Sequence, residues 1–321
     1  MHRNPTREHR WGVILAGGEG VRLRSLTRLV SGDDRPKQFC ALLGGTTLLN
    51  QTRRRIQQSI SQQRTLFVLL RAHERFYTQE LWRVPPAQTV VQPRNRGTLP
   101  AILGSLMHIA RHDQQAVVGI FPSDHYYADE QQFRMGVELA FGMAETNPES
   151  VVLLGAPAKR AEIGYGWIEA EAVPSPHSRD GLLRVKRFWE KPSPPVARDL
   201  LDRGCVWNTF VMVGRAQAFL GMVRSGAPEL YQAFEPMRAR CSPETDEEAM
   251  RAVYDGIETA DFSQSILSAN PERLRVLCLG DVGWSDLGEP GRVMGVLAET
   301  GVEYEWATLW HRNSAAVAAA C

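Results

Sequence analysis

A glycine-rich turn, Ala16-Gly17-Gly18-Glu19-Gly20-Val21-Arg22-Leu23, follows directly on an apolar run at residues 11–16. Glycines after a buried strand let backbone N–H groups approach phosphate oxygens without interference from a Cβ. Neither common phosphate motif fits. The dinucleotide pattern needs a third glycine where Leu23 stands, and the P-loop needs a Gly-Lys-Ser/Thr ending that is absent. A lone turn of this kind also serves simply to join a strand to a helix. Arg22, and Lys37 in Arg35-Pro36-Lys37-Gln38-Phe39, add two fixed cations, which suit a triphosphate better than a dinucleotide.

Carboxylates come next. The apolar run 116–121 ends in Pro122-Ser123-Asp124, which places Asp124 at the carboxyl end of a buried strand, where open α/β sheets hold ligands. The same position suits a turn or a cap. Asp286 stands in a similar place after the run 274–279. Glu190-Lys191-Pro192 reads either as a solvated ion pair or as a phosphate-binding cation beside an acceptor for hydroxyls. Asn208, after the bulky Trp207, brings both a donor and an acceptor.

These residues need a scaffold. Short apolar runs at 11–16, 65–70, 89–91, 116–121 and 150–154 read as strands buried on both faces. Amphipathic stretches lie between them; the clearest, 129–145, puts Phe133, Val137, Ala140, Phe141 and Ala144 on one face behind an Asp129 cap. Alternation of this kind predicts an α/β fold: a mostly parallel twisted sheet with helices on both faces. The second half, with strands at 164–171, 182–189, 206–213 and 274–279, a helix at 193–203 and helical patterns from 216 to 268, predicts a smaller mixed α+β part. A loop at 173–181 joins two of those strands. The expected organisation is an N-terminal tail (1–10), one domain (11–290) and a short extension (291–321) that frays at 314–320.

Composition narrows the function classes. The 321 residues carry 37 Lys plus Arg against 36 Asp plus Glu, a net charge of +1 that gives no footing for nucleic acid or a membrane surface. No run reaches the ~18 apolar residues of a membrane helix, and the apolar run after the basic N-terminus is too short for a secretory signal. The five cysteines are far apart and form no CxxC pair, which argues against a disulfide framework or a zinc site and points to the cytoplasm. His108 and His112 lack the Glu of a zinc-protease helix and read as a surface pair. Arg53-Arg54-Arg55 reads as a solvated helix face.

LAGGEGVRL followed by RPKQF resembles the signature of the sugar-1-phosphate nucleotidyltransferases, and PKQF with the Thr52–Arg55 segment is similar to their mannose-1-phosphate guanylyltransferase branch. Further matches follow in order: Gln92-Pro93-Arg94-Asn95-Arg96-Gly97-Thr98, Phe121-Pro122-Ser123-Asp124-His125, Gly164-Tyr165-Gly166-Trp167-Ile168-Glu169, Phe188-Trp189-Glu190-Lys191-Pro192, Trp207-Asn208 and Gly283-Trp284-Ser285-Asp286-Leu287-Gly288. The resemblance implies a Rossmann-like nucleotidyltransferase fold and a reaction of GTP with α-D-mannose 1-phosphate that yields GDP-mannose and pyrophosphate. It assigns catalysis to Arg22, Lys37 and Asp124. The nucleotide falls to Ala16, Gly17, Gly18, Gly20, Arg22, Lys37, Gln92, Asn95, Gly97, Thr98 and Asp124, the sugar phosphate to Gly166, Glu190, Lys191 and Asn208, and Mg²⁺ to Asp124 with Asp286. His125 is not needed as a base, because a sugar phosphate is already ionised near pH 7. A homodimer is a further expectation.

The chain also departs from the family pattern. Ser25 replaces a usual proline, and residues 27–35 predict a longer connection able to act as a lid. Phe210 stands where the pattern WNSG has its glycine, which leaves another sugar 1-phosphate or nucleotide as an alternative, and Ser263 and Ser268 stand where the segment at 260–268 has acidic residues. A catalytically silent regulatory homologue is the other alternative; the presence of Arg22, Lys37, Asp124 and Asp286 argues against it. Isomerase activity, which bifunctional members carry in a further half, is not expected.

Overall fold

The computed structural model describes residues 5–171, 182–239, 243–310 and 312. The expected 173–181 loop and the frayed 314–320 stretch lie outside the described residues. The strands are β1 (Arg10–Leu15), β2 (Thr65–Leu70), β3 (Thr89–Gln92), β4 (Val117–Pro122), β5 (Val151–Pro157), β6 (Gly166–Glu171), β7 (Leu182–Glu190), β8 (Val206–Arg215) and β9 (Leu274–Cys278). The helices are α1 (Arg24–Ser31), α2 (Leu48–Ile56), α3 (Glu74–Glu80), α4 (Thr98–His112), α5 (Glu130–Thr146), α6 (Pro194–Asp202), α7 (Ala216–Gly226), α8 (Pro228–Phe234), α9 (Pro243–Gly256) and α10 (Pro290–Thr300).

The nine strands among the described residues join one sheet in the order β3-β2-β1-β4-β8-β5-β9-β7-β6. β1 to β4 pair in parallel, as do β5 and β9. β8 runs antiparallel between β4 and β5, and β6 and β7 also pair antiparallel, so the sheet as a whole is mixed. Successive residues of a strand point to opposite faces. Val13, Val68 and Ile120 therefore meet the α4, α7 and α8 side chains, whereas Ile14, Phe67 and Phe121 meet those of α2 and α5. The expected face of α5 is buried throughout, and the Asp129 carboxylate caps it by accepting from Gln132 N at 2.8 Å. A smaller aromatic core, with Tyr165, Trp167 and Trp207 under Ala197 and Leu200 of α6, supports the antiparallel end. Val293 and Val296 of α10 pack with Leu23, Leu26 and Leu287, which ties this helix to the glycine turn.

Three local expectations are corrected. The expected tail ends early: Pro5–His9 form a 3₁₀ turn, and Arg10 already lies in β1, buried because Glu138 and Glu145 of α5 accept from its guanidinium at 2.8 and 2.7 Å. Most of the expected 27–35 lid is helix. α1 continues to Ser31, and Gly32, at φ 75°, ends it by donating to Arg28 O. Within the expected solvated arginine face, Arg55 is buried over Tyr127, and Glu130 accepts from it at 2.9 Å.

Candidate active site

A cleft of about 430 Å³ opens where the parallel and antiparallel parts of the sheet meet. It gathers Gly20, Arg22, Lys37, Thr98, Asp124, Gly166, Glu190, Lys191, Asn208 and Asp286, residues drawn from segments up to 266 positions apart. Ala16, Gly17, Gly18, Gln92, Asn95 and Gly97 are not among its lining residues. Ala16 lies buried beneath the turn, where its carbonyl accepts from the Gln38 amide. Gln92 is buried against Gly17, and its Oε1 accepts from Tyr254 Oη at 3.0 Å. The loop after it is used up structurally: Arg94 pairs with Asp255, Asn95 Oδ1 accepts from Gly97 N, and Gly97 at φ 83° leaves no room for a Cβ against Ala260 O. Thr98 alone of that loop reaches the cleft.

The turn after β1 reaches the cleft through Gly20, at φ 60°, whose missing Cβ lets the Lys37 backbone approach. Lys37 Nζ donates to Asp286 O at 2.5 Å and Leu287 O at 3.2 Å and lies 3.2 Å from Asp124 Oδ2. One ammonium thus holds the Asp124 and Asp286 segments together. Asp286 Oδ1 accepts from Arg292 Nη1, Tyr165 Oη and Gly288 N at 2.7, 3.1 and 2.9 Å, while Oδ2 accepts from Arg292 Nη1 at 2.8 Å. Burial alone would raise the Asp286 carboxyl. Its cationic neighbours, Lys37 and Arg292 among them, outweigh burial and hold it below the usual range, so it is ionised. Burial raises the Tyr165 phenol, which keeps it a neutral donor.

Arg292, which the sequence pattern does not point to, has a side chain only 8% exposed and also lies 3.1 Å from Glu162 and over the Tyr165 ring. Only its position in the first turn of α10, within reach of Asp286, hinted at this. Arg22 is far more open and pairs with Glu289 at 3.3 Å. His125 lines the cleft as a neutral ring: burial pulls its pKa down against the pull of Asp124, and Nδ1 accepts from Trp284 Nε1 at 3.3 Å.

On the other wall, Lys191 Nζ lies 3.1 Å from Glu190 Oε1. Burial raises the Glu190 carboxyl above its ordinary value despite Lys191. Gly166 sits between Glu190 and Asn208, where a Cβ would come within 3.1 Å of the carboxylate. Asp261 also faces the cleft and accepts from Thr98 Oγ1 at 3.2 Å and Gln264 N at 3.0 Å. Lys191, Phe210 and Leu287 are the non-glycine residues with positive φ among the described residues; Lys191 and Phe210 line this cleft, and Leu287 lies between its lining residues Asp286 and Gly288. Such strain persists where the surroundings impose it, typically at sites that bind or react.

The model of the nucleotidyl transferase family matches residues 11–299. The chain belongs to the nucleotidyl transferase family. Among its curated relatives, the alginate biosynthesis protein AlgA of Pseudomonas aeruginosa is 31% identical over 301 residues, covering 89% of this chain and 58% of that protein. The mannose-1-phosphate guanylyltransferase of Escherichia coli K12 is 28% identical over 299 residues, covering 90% of this chain and 60% of its own. The chain therefore spans about three-fifths of the length of these relatives. A crystal structure from Thermus thermophilus, titled mannose-1-phosphate geranyltransferase, superposes with a TM-score of 0.75 at 27% identity over 87% of this chain and 76% of that one. Gly20 and Arg22 of the turn, Asp124 two residues beyond the end of β4 and Asp286 eight residues beyond the end of β9 line this cleft.

No cluster of three or more His, Cys, Asp or Glu among the described residues could hold a metal by itself. The carboxylates of Asp124 and Asp286 nevertheless fit Mg²⁺, which usually takes one or two protein carboxylates and fills its shell with phosphate oxygens and water. Asp286 Oδ2 accepts a single hydrogen bond among the described residues and keeps a lone pair for an ion. No described helix is long and apolar enough to cross a membrane.

Proposed function

We propose that this nucleotidyl transferase joins GTP to α-D-mannose 1-phosphate, forming GDP-mannose and pyrophosphate. The observation that carries the reading is the meeting of Lys37, Asp124 and Asp286 at one point of a cleft whose far wall presents Glu190, Lys191 and Asn208. That layout separates a phosphate-charge half from a hydroxyl-reading half, as two substrates require. The name of the Escherichia relative, mannose-1-phosphate guanylyltransferase, supports mannose 1-phosphate and a guanine nucleotide as the partners.

In this scheme a phosphate oxygen of the sugar phosphate attacks the α-phosphorus of the nucleotide in line. The P–O bond to the β-phosphate breaks, and pyrophosphate leaves with the bond's electron pair. Lys37 and Arg22 place positive charge against the transferring and leaving phosphates. Lys191 holds the attacking phosphate, and Glu190 and Asn208 fix the sugar hydroxyls, so that attack starts from a bound near-line geometry. Asp124 and Asp286 would hold Mg²⁺, which would supply charge neutralisation at the phosphates. The neutral His125 ring holds Trp284 in place and takes no proton.

The test is pyrophosphate release from purified protein with Mg²⁺, each NTP in turn and a panel of sugar 1-phosphates. GTP with mannose 1-phosphate should give the highest kcat/KM. Faster turnover of another pair would reassign the substrates, and release from NTP without any sugar phosphate would overturn the scheme.

A further inference from the structure

β8 carries a bulge whose geometry has no use in a plain sheet. Met212 pairs with Leu153, and the next paired residue is Asn208 opposite Gly155, so residues 209–211 stand against Leu154 alone. The bulge is fixed from within. Thr209 Oγ1 donates to Leu154 O at 2.7 Å, Val211 N donates to Thr209 Oγ1 at 3.3 Å, and Phe210 N donates to Asn208 Oδ1 at 3.1 Å. At its apex Phe210 has φ 60°, a left-handed conformation that a large side chain adopts only at a cost. Bulges commonly re-aim a side chain beside an active site. Here the partly buried ring rests on the main core and lines the cleft beside Glu190, Lys191 and Asn208. A residue needed only for packing would fill the core from an in-register, unstrained position.

We propose that Phe210 is the specificity-determining residue of the sugar wall. It is the apolar surface on which the C–H face of a hexopyranose 1-phosphate stacks, and its bulk excludes sugars carrying an acetamido group. Stacking suits both partners, because the face of an aromatic ring is electron-rich and the C–H bonds of a pyranose are its electropositive side. The polar groups around it then fix orientation, the usual division of labour in a ligand pocket. This inference rests on the proposed nucleotidyl transfer.

Two variants separate stacking from simple filling. Phe210→Gly removes the ring and relaxes the backbone, and Phe210→Leu keeps apolar bulk without the π face. With Phe210→Gly the KM for mannose 1-phosphate should rise about tenfold, the KM for GTP should stay within about twofold, and N-acetylglucosamine 1-phosphate should gain about tenfold in kcat/KM relative to mannose 1-phosphate. Phe210→Leu should raise the sugar KM less and give no gain with the acetamido sugar. An unchanged sugar KM and unchanged ratio in a Phe210→Gly variant that melts like the parent would overturn the role, as would an equal rise in both KM values. If the parent protein releases no pyrophosphate with any pair, the assigned reaction fails instead. Calorimetric titration of mannose 1-phosphate into parent and Phe210→Gly protein then reads the ring directly: about tenfold weaker binding is expected, and equal affinity contradicts it.

Discussion

The two walls of the cleft are built on different terms. On the nucleotide wall, Lys37 has only 11% of its side chain exposed and is locked by two carbonyls and a carboxylate. On the wall proposed for the sugar, Lys191 is 62% exposed and its ammonium pairs with Glu190. The first wall fixes charge before any substrate arrives, which is where catalysis by electrostatics is most effective. The second leaves its charge adjustable and fixes shape instead, through the bulge at Phe210 and the left-handed backbone of Lys191. The contrast lies in the two lysines: Lys37 is buried and over-bonded and Lys191 is open, while left-handed backbone occurs beside both, at Leu287 and at Lys191 and Phe210.

The largest expected effect lies on the first wall. Asp124→Asn keeps the side-chain size but removes the charge that faces Lys37 and that the proposed scheme gives to Mg²⁺, and turnover should fall about 10³-fold with Tm nearly unchanged. If both carboxylates act through one ion, as proposed, the Asp124→Asn/Asp286→Asn double variant should be little slower than the poorer single one. Steady-state rates that multiply across the two sites would show that the carboxylates work separately.

Lys37→Ala should lower kcat by about 10²-fold. It should also cost about 1–2 kcal/mol of stability by urea unfolding, because the Asp286 and Leu287 carbonyls lose a shared donor. A variant that loses stability but not rate would make Lys37 a structural tie rather than part of the chemistry.

Lys191→Ala tests the contrast from the other side. The KM for the sugar phosphate should rise about tenfold, the lower end expected for a charge-assisted bond, because this ammonium is solvent-exposed. The KM for GTP should hold. If the nucleotide KM rises instead, the assignments of the two walls are reversed.

The smallest effect is a pH dependence. Burial holds the Glu190 carboxyl above its ordinary value, so it gains its proton at a higher pH than a free glutamate as the solution is acidified. Sugar KM should therefore climb by a few-fold on acidification, starting above the normal carboxylate range, and Glu190→Gln should flatten that limb. A limb that survives in Glu190→Gln belongs to another group.

Much of this was legible in the sequence for physical reasons. Buried parallel strands such as β2 and β4 must be apolar on both faces, so their runs stood out, and β2 was bounded correctly at both ends. Lys37, Asp124, Glu190 and Asn208 were readable because strand ends and motif spacing place them. The antiparallel insertion of β8 between β4 and β5 was not, since pairing partners depend on contacts far apart in the chain. Arg292 and Arg55 were missed because a buried guanidinium is offset by carboxylates from other segments, which local sequence does not reveal. Asn95 and Gly97 were read as facing a ligand, yet their polar and conformational features serve the loop itself.

Phosphorus NMR of the intact protein with Mg²⁺, GTP and mannose 1-phosphate tests the central claim most directly. The expected result is equal growth of GDP-mannose and pyrophosphate signals, neither forming when either substrate is left out, and a drop of about 10²-fold in both rates with Lys37→Ala. Free phosphate in place of pyrophosphate, or product formation untouched by loss of Lys37, would contradict it.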